Sequence, residues 1–299
     1  MSLRFDDRVV IVTGAGRGIG AAYARLFGAL GARVVVNDLG GSMEGDGSDS
    51  FAAEHVVHEI ADAGGNAIAN TNDVSSPAGA ARLVGDAVKV FGRVDAVVNN
   101  AGIMRWAGIA ELAADDLAKH WAVHTAGAFN VVKAAWPHMV EAGYGRVVNT
   151  TSSGVFGLPK NLAYATAKGG VIGFTRSLAV GGKRYGIRAN SIAPAAFTRM
   201  AGEPANDQME RDMAPEKVAP MAAYLAHEDC AVTGEIYTAG AGRFARLFIG
   251  STPGVTVDDP SIDDVASQWA AINSEDGYTV PSDLIDWSTG FTSHLNPEP

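Results

Sequence analysis

Residues 9–20 read VVIVTGAGRGIG, and this stretch decides the fold of the chain. Its first four residues are β-branched and predict a short buried strand, while the glycines that follow predict a tight turn. A helical pattern then covers residues 18–30, and a second apolar run, Val34–Val36, ends at Asn37 and Asp38. A strand, a glycine-rich turn, a helix and a second strand within about 30 residues predict the βαβ unit of a parallel sheet.

The same alternation of apolar runs and helical patterns continues to about residue 240. Further strands are predicted at residues 67–69, 94–98, 146–150, 188–193 and 235–238. Seven strands separated by helices predict one Rossmann-type, doubly wound parallel sheet with helices on both faces. We therefore expect one Rossmann-type domain over residues 1–246 and an acidic C-terminal extension over residues 247–299.

The net charge of −10 comes almost entirely from this C-terminal arm. Nine of the 33 acidic residues and none of the 23 basic residues follow Arg246, so the rest of the chain has 24 acidic and 23 basic residues. Neither part has the basic stripe that is typical of a nucleic-acid-binding protein. Within the arm, Ile262, Val265, Trp269 and Ile272 fall at helical spacing. They predict an amphipathic helix that packs either on its own domain or on a neighbouring subunit.

Composition limits the remaining function classes. Hydrophobic residues make up 47% of the 299 residues and charged residues 19%, which indicates a globular protein with a large core. No apolar stretch reaches the roughly 18 residues of a membrane span, and the first residues have no signal-peptide pattern. The single cysteine, Cys230, is expected to be a small core residue, and the His and Cys residues show no metal-ligand spacing. We expect a cytoplasmic protein with no metal, membrane or nucleic-acid partner.

The glycine-rich turn also predicts a nucleotide site that contains Gly14, Arg17, Gly18 and Ile19. Glycines let the backbone approach a pyrophosphate, and the helix that follows offers free N–H groups to phosphate oxygens. Asp38, about 20 residues further on, can accept hydrogen bonds from both hydroxyls of an adenine ribose and would repel a 2′-phosphate. Arg17 could bind that phosphate, which would favour NADP. It could equally be a solvated surface residue. Residues 39–50, directly after Asp38, contain no basic residue, and the pattern therefore favours NAD over NADP.

Tyr164 and Lys168 lie four residues apart on a predicted helix and therefore share one face. An ammonium about 4 Å from a phenolate stabilises it by about 4 kcal/mol at an effective dielectric constant near 20. We therefore expect the pKa of Tyr164 to fall from about 10 towards 7, where a phenol can exchange a proton with an alcohol or carbonyl oxygen. A half-buried tyrosine beside a solvated lysine is the alternative interpretation of this spacing.

Three motifs, TGAGRGIG at 13–20, NNAG at 99–102 and YATAK at 164–168, resemble the short-chain dehydrogenase/reductase family over about residues 5–240. The resemblance implies hydride transfer between a nicotinamide cofactor and a small-molecule alcohol or ketone. It also implies that the cofactor is contacted by Asn99, Ala101, Gly102, Asp73, Val74, Tyr164, Lys168, Pro194 and Thr198.

A hydroxyl at the end of the fifth strand completes the catalytic set that the resemblance implies. Counting forward from the strand gives Ser152, whereas counting 13 residues back from Tyr164 gives Thr151; we favour Ser152. The family usually has Asn where this chain has His124, which we interpret as a proton-relay residue, a buried structural histidine being the alternative. In the implied reaction Ser152 holds the substrate oxygen, Tyr164 exchanges its proton, and Lys168 binds the nicotinamide ribose.

One branch of the family resembles this chain further, on the segments at 34–41, 192–200, 226–230 and 240–246. It includes the dehydrogenase domain of the peroxisomal multifunctional enzymes of fatty-acid β-oxidation and free-standing bacterial relatives. The resemblance implies a (3R)-3-hydroxyacyl-CoA or hydroxysteroid substrate and a homodimer or homotetramer. Residues 159–164 read PKNLAY where the branch has GQANY. The alternatives are an NADPH-preferring ketoreductase and a non-catalytic NAD-binding sensor.

Substrate selection is expected to involve two segments. Residues 197–212 fall where the family has a mobile lid. Met104, Arg105 and Trp106 follow the NNAG turn and are expected to line the substrate mouth, although core packing would also explain Met104 and Trp106.

Overall fold

A computed structural model describes residues 3–198, 200 and 206–295 of the chain. The strands are β1 Val9–Thr13, β2 Arg33–Asn37, β3 Asn66–Asn70, β4 Ala96–Asn99, β5 Gly145–Thr150, β6 Ile187–Pro194, β7 Ile236–Gly240 and β8 Arg243–Leu247. They form one sheet in the order β3-β2-β1-β4-β5-β6-β7-β8. All the neighbours from β3 to β7 pair in parallel, as the alternation of strands and helices predicts.

The sheet has eight strands, so the prediction of seven is wrong by one strand at its edge. The missed strand, β8, follows β7 after Ala241 and Gly242, which both have positive φ angles (51° and 75°). Such a two-residue turn reverses the chain into a hairpin. Arg243–Leu247 contains two charged residues among its five, because an edge strand has no need of the continuous apolar run of a buried strand.

The helices cover both faces of the sheet. They are α1 Gly18–Ala29, α2 Phe51–Asp62, α3 Pro77–Phe91, α4 Ala114–His120, α5 Gly127–Ala142, α6 Leu162–Gly182, α7 Asp207–Asp212, α8 Ala219–Ala226, α9 Ile262–Ser267, α10 Trp269–Ile272 and α11 Leu284–Phe291. Between α4 and α5 the residues Trp121–Ala126 form a π-helical segment. Such segments are rare and occur frequently at functional sites.

Alternate residues of β1 fill two separate cores. Val10 and Val12 belong to a cluster that includes Phe27 of α1, whereas Val9 and Ile11 belong to a second cluster on the opposite face. All four residues are fully buried. A strand buried on both faces must be apolar throughout, which explains the sequence VVIV.

The two neighbours of β1 in the sheet are β2 and β4, so the strand order reverses at β1. Connections on opposite sides of such a point leave a crevice at the carboxyl ends of the strands, where open α/β sheets bind ligands. The turn at residues 13–20 and the NNAG segment at 99–102 both follow strands that end at this edge.

The chain divides into two compact units, residues 1–246 and 247–299. In the second unit the predicted amphipathic helix is two short helices, α9 and α10, which meet at Gln268. Within this unit the rings of Phe248 and Tyr278 stack, and Ser251 and Thr279 form a β-bridge. Across the described part of both units, no helix combines the length and apolar character that a membrane crossing requires.

Candidate active site

The glycine-rich turn and the NNAG segment are hydrogen-bonded to each other at the switch point of the sheet, where the strand order reverses at β1. The backbone N–H groups of Asn100 and Ala101 donate to Thr13 Oγ1, at 3.0 and 3.1 Å. The Asn100 side chain donates from Nδ2 to the carbonyl oxygens of Thr13 and Gly14, at 3.1 and 3.0 Å. Gly14 has a φ of 62°, and a Cβ on it would lie 2.7 Å from the Ala101 Cα. Only glycine therefore fits this contact.

A cavity of about 340 Å³ opens beside this turn. The predicted cofactor residues that line it are Gly14, Arg17, Gly18, Ile19, Asp38, Asp73, Val74, Ala101, Gly102 and Thr198. A second, much smaller cavity, of about 10 Å³, has the predicted residues Val74, Asn99, Ala101, His124 and Lys168 in its wall. Ser152, Tyr164 and Pro194 line neither of these two cavities.

The carboxylate of Asp38 is fixed in the wall of the larger cavity by two backbone donors. Its Oδ2 accepts from the Gly16 N–H at 2.8 Å, and its Oδ1 accepts from the Gly40 N–H at 2.7 Å. The guanidinium of Arg17 lies 3.6 Å from the carboxylate of Asp49. Asp38, which favours NAD, and Arg17, which would favour NADP, thus line the same cavity, and Arg17 is paired with Asp49.

The turn at Asp73 forms another part of the wall. The Asp73 carboxylate accepts from the backbone N–H and the hydroxyl of Ser75, each at 2.8 Å. Val74 is 6% exposed, and its carbonyl oxygen accepts from Asn130 Nδ2 at 3.2 Å. An apolar side chain in this position of the cavity wall can pack against an aromatic ring.

Residues of a dinucleotide site are therefore present and fit an NAD(P)-type cofactor. The turn lacks side chains where the chain passes closest to its neighbours, the cavity lies at the switch point of the sheet, and a fixed carboxylate follows β2. Among the described residues, no three or more His, Cys, Asp or Glu side chains are grouped in a way that could hold a metal ion.

Ser152 and Lys168 meet at Tyr164, beside the smaller cavity. The Lys168 Nζ lies 5.4 Å from the centre of the Tyr164 ring and donates to the Thr150 carbonyl oxygen at 2.7 Å. The Ser152 hydroxyl lies beside Tyr164, since a Cβ on Gly154 would be 3.2 Å from Ser152 Oγ and 3.6 Å from Tyr164 Cε1, and Ser152 Oγ accepts from the Gly154 N–H at 3.0 Å. The Thr151 hydroxyl is buried and donates instead to the Lys168 carbonyl oxygen at 2.8 Å. This geometry favours Ser152 over Thr151 as the hydroxyl of the site.

The pKa values differ from the expectation for this pair. Burial raises the pKa of Tyr164, and the neighbouring Ser152 hydroxyl only partly opposes this effect. Burial also lowers the pKa of Lys168, from 10.5 to about 7. The spacing predicts a shared helix face correctly, but the ammonium lies over the ring and binds a carbonyl oxygen, and desolvation is the larger effect at both residues.

His124 lies on the π-helical segment, and its ring packs edge-on against Tyr164 with 5.2 Å between the ring centres. Its Nε2 lies 2.9 Å from the Ile103 carbonyl oxygen. Burial, and after it the charge of Lys168, hold the pKa of His124 well below its usual value. A Cβ on Gly102 would lie 2.5 Å from the His124 Cε1, so the NNAG segment packs directly on this ring.

Three buried polar atoms at the smaller cavity have no hydrogen-bond partner within the described residues: His124 Nδ1, Asn99 Oδ1 and Thr150 Oγ1. All three residues line this cavity together with Lys168. Its volume of about 10 Å³ is close to the least that one water molecule needs. Sequence reasoning missed Thr150, although its place as the last residue of a predicted strand was the available signal.

Residues 40–50 form a second feature that sequence reasoning missed. Their composition predicts a surface loop, but Gly41, Ser42, Met43 and Gly45 line the larger cavity. The Met43 carbonyl oxygen accepts from the Met104 N–H at 2.9 Å. The loop therefore joins the nucleotide cavity to the segment that follows NNAG. Its position directly after Asp38 was the signal in the sequence.

The three residues predicted to line the substrate mouth differ in their surroundings. Met104 is buried, as the core interpretation expects, whereas Trp106 is 46% exposed. Arg105 forms an ion pair with Asp116 at 2.7 Å. The Ala107 N–H donates to the Lys160 carbonyl oxygen at 2.8 Å, which brings this segment beside PKNLAY. Of the predicted lid at 197–212, residues 199 and 201–205 lie outside the described residues.

A doubly wound sheet with a glycine-rich turn at its switch point, and a Tyr–Lys pair on a neighbouring helix, is the architecture of dinucleotide-dependent α/β oxidoreductases. A family model described as short chain dehydrogenase matches residues 8–210. The chain belongs to the short-chain dehydrogenase family and is an oxidoreductase that acts on CH–OH donors.

Two relatives show how far the similarity extends. A short-chain type dehydrogenase/reductase of Mycobacterium tuberculosis is 42% identical over 274 residues, covering 91% of this chain and 96% of that protein. The peroxisomal multifunctional enzyme A of Dictyostelium discoideum is 38% identical over 300 residues, covering 100% of this chain and 67% of that enzyme.

Solved structures of short-chain dehydrogenases and related enzymes are also similar to this chain. The full-length peroxisomal multifunctional enzyme type 2 of Drosophila melanogaster has a TM-score of 0.81 and 30% identity, and the match covers 98% of this chain but 50% of that one. A 7α-hydroxysteroid dehydrogenase in complex with NADH and 7-oxo glycochenodeoxycholic acid has a TM-score of 0.71 and 28% identity, covering 80% of this chain and 95% of that one. The predicted family and fold class are confirmed.

Proposed function

We propose that this chain uses NAD to interconvert a secondary alcohol and its ketone, with Ser152, Tyr164 and Lys168 as catalytic residues and His124 in support. The observation that carries this proposal is the position of the Ser152 hydroxyl and the Lys168 ammonium beside the Tyr164 ring. A structural tyrosine would need neither a second hydroxyl nor a buried ammonium beside it.

When NAD is bound, its nicotinamide ring supplies the hydride acceptor. The Ser152 hydroxyl hydrogen-bonds the substrate oxygen, and the Tyr164 hydroxyl exchanges a proton with it. Burial alone makes this phenol a weaker acid. The ammonium of Lys168 favours the phenolate form and so offsets part of that effect while the proton is away from Tyr164. His124 and Thr150 place polar atoms around the ammonium, where a water molecule can hydrogen-bond.

The choice of NAD over NADP follows from Asp38. Both of its carboxylate oxygens are fixed by backbone N–H groups in the cavity wall. The carboxylate can accept from ribose hydroxyls, whereas a 2′-phosphate at the same place would meet a like charge. The hydroxysteroid dehydrogenase whose structure contains NADH supports a dinucleotide of this type.

For the substrate we propose a 3-hydroxyacyl-CoA or a hydroxysteroid. The similarity to peroxisomal multifunctional enzymes and to a hydroxysteroid dehydrogenase supports these two classes. The exposed apolar side chains Trp106, Phe156 and Leu158 flank the segments around the catalytic residues and suit a substrate with an apolar body. The proposal includes a cytoplasmic location and assembly as a homodimer or homotetramer.

The test is an activity screen that pairs NAD and NADP with (3R)-3-hydroxyacyl-CoA, hydroxysteroids and small secondary alcohols. We expect turnover with NAD and one of the first two substrate classes. Equal or better turnover with NADP would favour an NADPH-dependent ketoreductase, to which Arg17 would be suited.

A Tyr164→Phe variant separates catalysis from binding. We expect it to bind NADH with the affinity of the unaltered protein, measured by fluorescence, and to lose turnover by a factor of at least about a hundred, as when a general acid–base group is removed. If the variant and the unaltered protein bind NADH equally and neither turns over any substrate, the chain is an NAD-binding sensor.

A further inference from the structure

The loop at residues 40–50 brings two carboxylates to cations of the nucleotide cavity. Asp49 lies 3.6 Å from the Arg17 guanidinium, and Asp46 lies 2.7 Å from the Lys119 ammonium. Both Arg17 and Lys119 line the cavity, together with Asp38. The loop therefore contributes to the net charge of the cavity, and this charge influences which dinucleotide binds there.

Arg17 by itself would suit a phosphorylated ribose, since a guanidinium binds phosphate in a forked geometry. Arg17 lines the cavity together with Asp38 and forms an ion pair with Asp49 of the loop. These three residues together have a net charge of −1. A 2′-phosphate would have to compete with Asp49 for the guanidinium while it is repelled by Asp38.

We infer that Asp49 is a selectivity-determining residue, which disfavours NADP(H) by occupying Arg17. The inference rests on the proposed function, because it assumes that the cavity binds a dinucleotide. It explains how an arginine in the glycine-rich turn is compatible with a site for the unphosphorylated cofactor.

The substitution Asp49→Asn tests this with little risk to folding. Asp49 is partly solvated, with 42% of its side chain exposed. Its Oδ1 also accepts from the Phe51 N–H at 3.0 Å, where α2 begins. Asn keeps an oxygen for that hydrogen bond and removes only the charge.

The experiment measures dissociation constants for NADH and NADPH by nicotinamide fluorescence at low ionic strength. In Asp49→Asn we expect NADPH to bind about threefold to fivefold more tightly, the effect of one exposed ion pair, and NADH to bind as before. Added salt should narrow this difference, because it screens exposed charges. In an Arg17→Gln background the same substitution should change the ratio of the two constants by less than half as much.

Glu44→Gln is the matched control, because it removes the same charge from the same loop. The Glu44 carboxylate accepts from the Ser42 hydroxyl at 3.1 Å and does not line the cavity. An unchanged ratio in Asp49→Asn, or an equal shift in Glu44→Gln, would overturn the inference while leaving the proposed function intact. If the unaltered protein binds neither dinucleotide, the proposed function itself fails.

Discussion

The buried ammonium of Lys168 predicts an unusual dependence of stability on pH. The residue is 3% exposed, and burial lowers its pKa from 10.5 to about 7. Below pH 7 the folded and unfolded states both bind this proton. Between about pH 7 and pH 10.5 only the unfolded state retains it, so the free energy of unfolding rises with pH. The slope approaches 1.4 kcal/mol per pH unit, and the whole rise is about 5 kcal/mol.

The substitution Lys168→Met removes this titration and keeps most of the side-chain volume. We expect the free energy of unfolding of the variant, minus that of the unaltered protein, to fall by about 3 kcal/mol from about pH 7 to about pH 9.5. Urea unfolding of the cofactor-free protein, followed by tryptophan fluorescence, measures it. Lys89→Met is the control, because Lys89 is exposed on α3 and its replacement should give a curve parallel to that of the unaltered protein.

Other buried groups of the site titrate outside this range. The depressed pKa of His124 lowers stability only as the pH falls below about 6.5, where the unfolded state gains a proton. The raised pKa of Tyr164 acts only above about pH 10. Parallel curves for Lys168→Met and the unaltered protein would therefore show that Lys168 is not a desolvated ammonium, and the reasoning about its charge would be refuted.

Two further predictions follow from the packing of the site. Gly102→Ala places a Cβ 2.5 Å from the His124 ring and should lower the free energy of unfolding by about 1–3 kcal/mol, measured by chemical unfolding. Gly85→Ala is the control, because a Cβ at this helical position meets nothing, and it should raise the free energy of unfolding. Equal effects of the two substitutions would contradict the contact with His124. Ser152→Ala should lower kcat about a hundredfold with NADH affinity unchanged, whereas Thr151→Val should mainly lower stability, by about 1–3 kcal/mol. The reverse assignment of these two effects would mean that Thr151 is the hydroxyl of the site.

The centre of the fold could be predicted from sequence because burial on both faces leaves little choice of residue. Val9 to Val12 must all be apolar, and the turn that follows must be glycine at Gly14, where a Cβ would meet the Ala101 backbone. The edge of the sheet carries no such constraint. Arg243–Leu247 was missed because solvated strand residues can be charged.

The site could be predicted as a set of residues but not as an electrostatic environment. Four-residue spacing places Tyr164 and Lys168 on one helix face, and nothing in it shows that the ammonium binds the Thr150 carbonyl oxygen. The direction of each pKa shift depends on burial, which is set by the tertiary structure. The choice between Ser152 and Thr151 depended on the exact residue at which β5 ends. The ends of strands are the part of the fold that sequence patterns locate least well.

The π-helical segment Trp121–Ala126 makes the length of the chain at this place significant. A π turn contains about one residue more than an α turn, so removing one residue lets this segment close into an α turn while the helix beyond it keeps its orientation. The buried face of α5, with Val131, Ala135 and Met139, would then keep its packing, whereas His124, inside the segment, would change position. A one-residue deletion between residues 121 and 126 should therefore disturb the site at His124 more than the fold around α5.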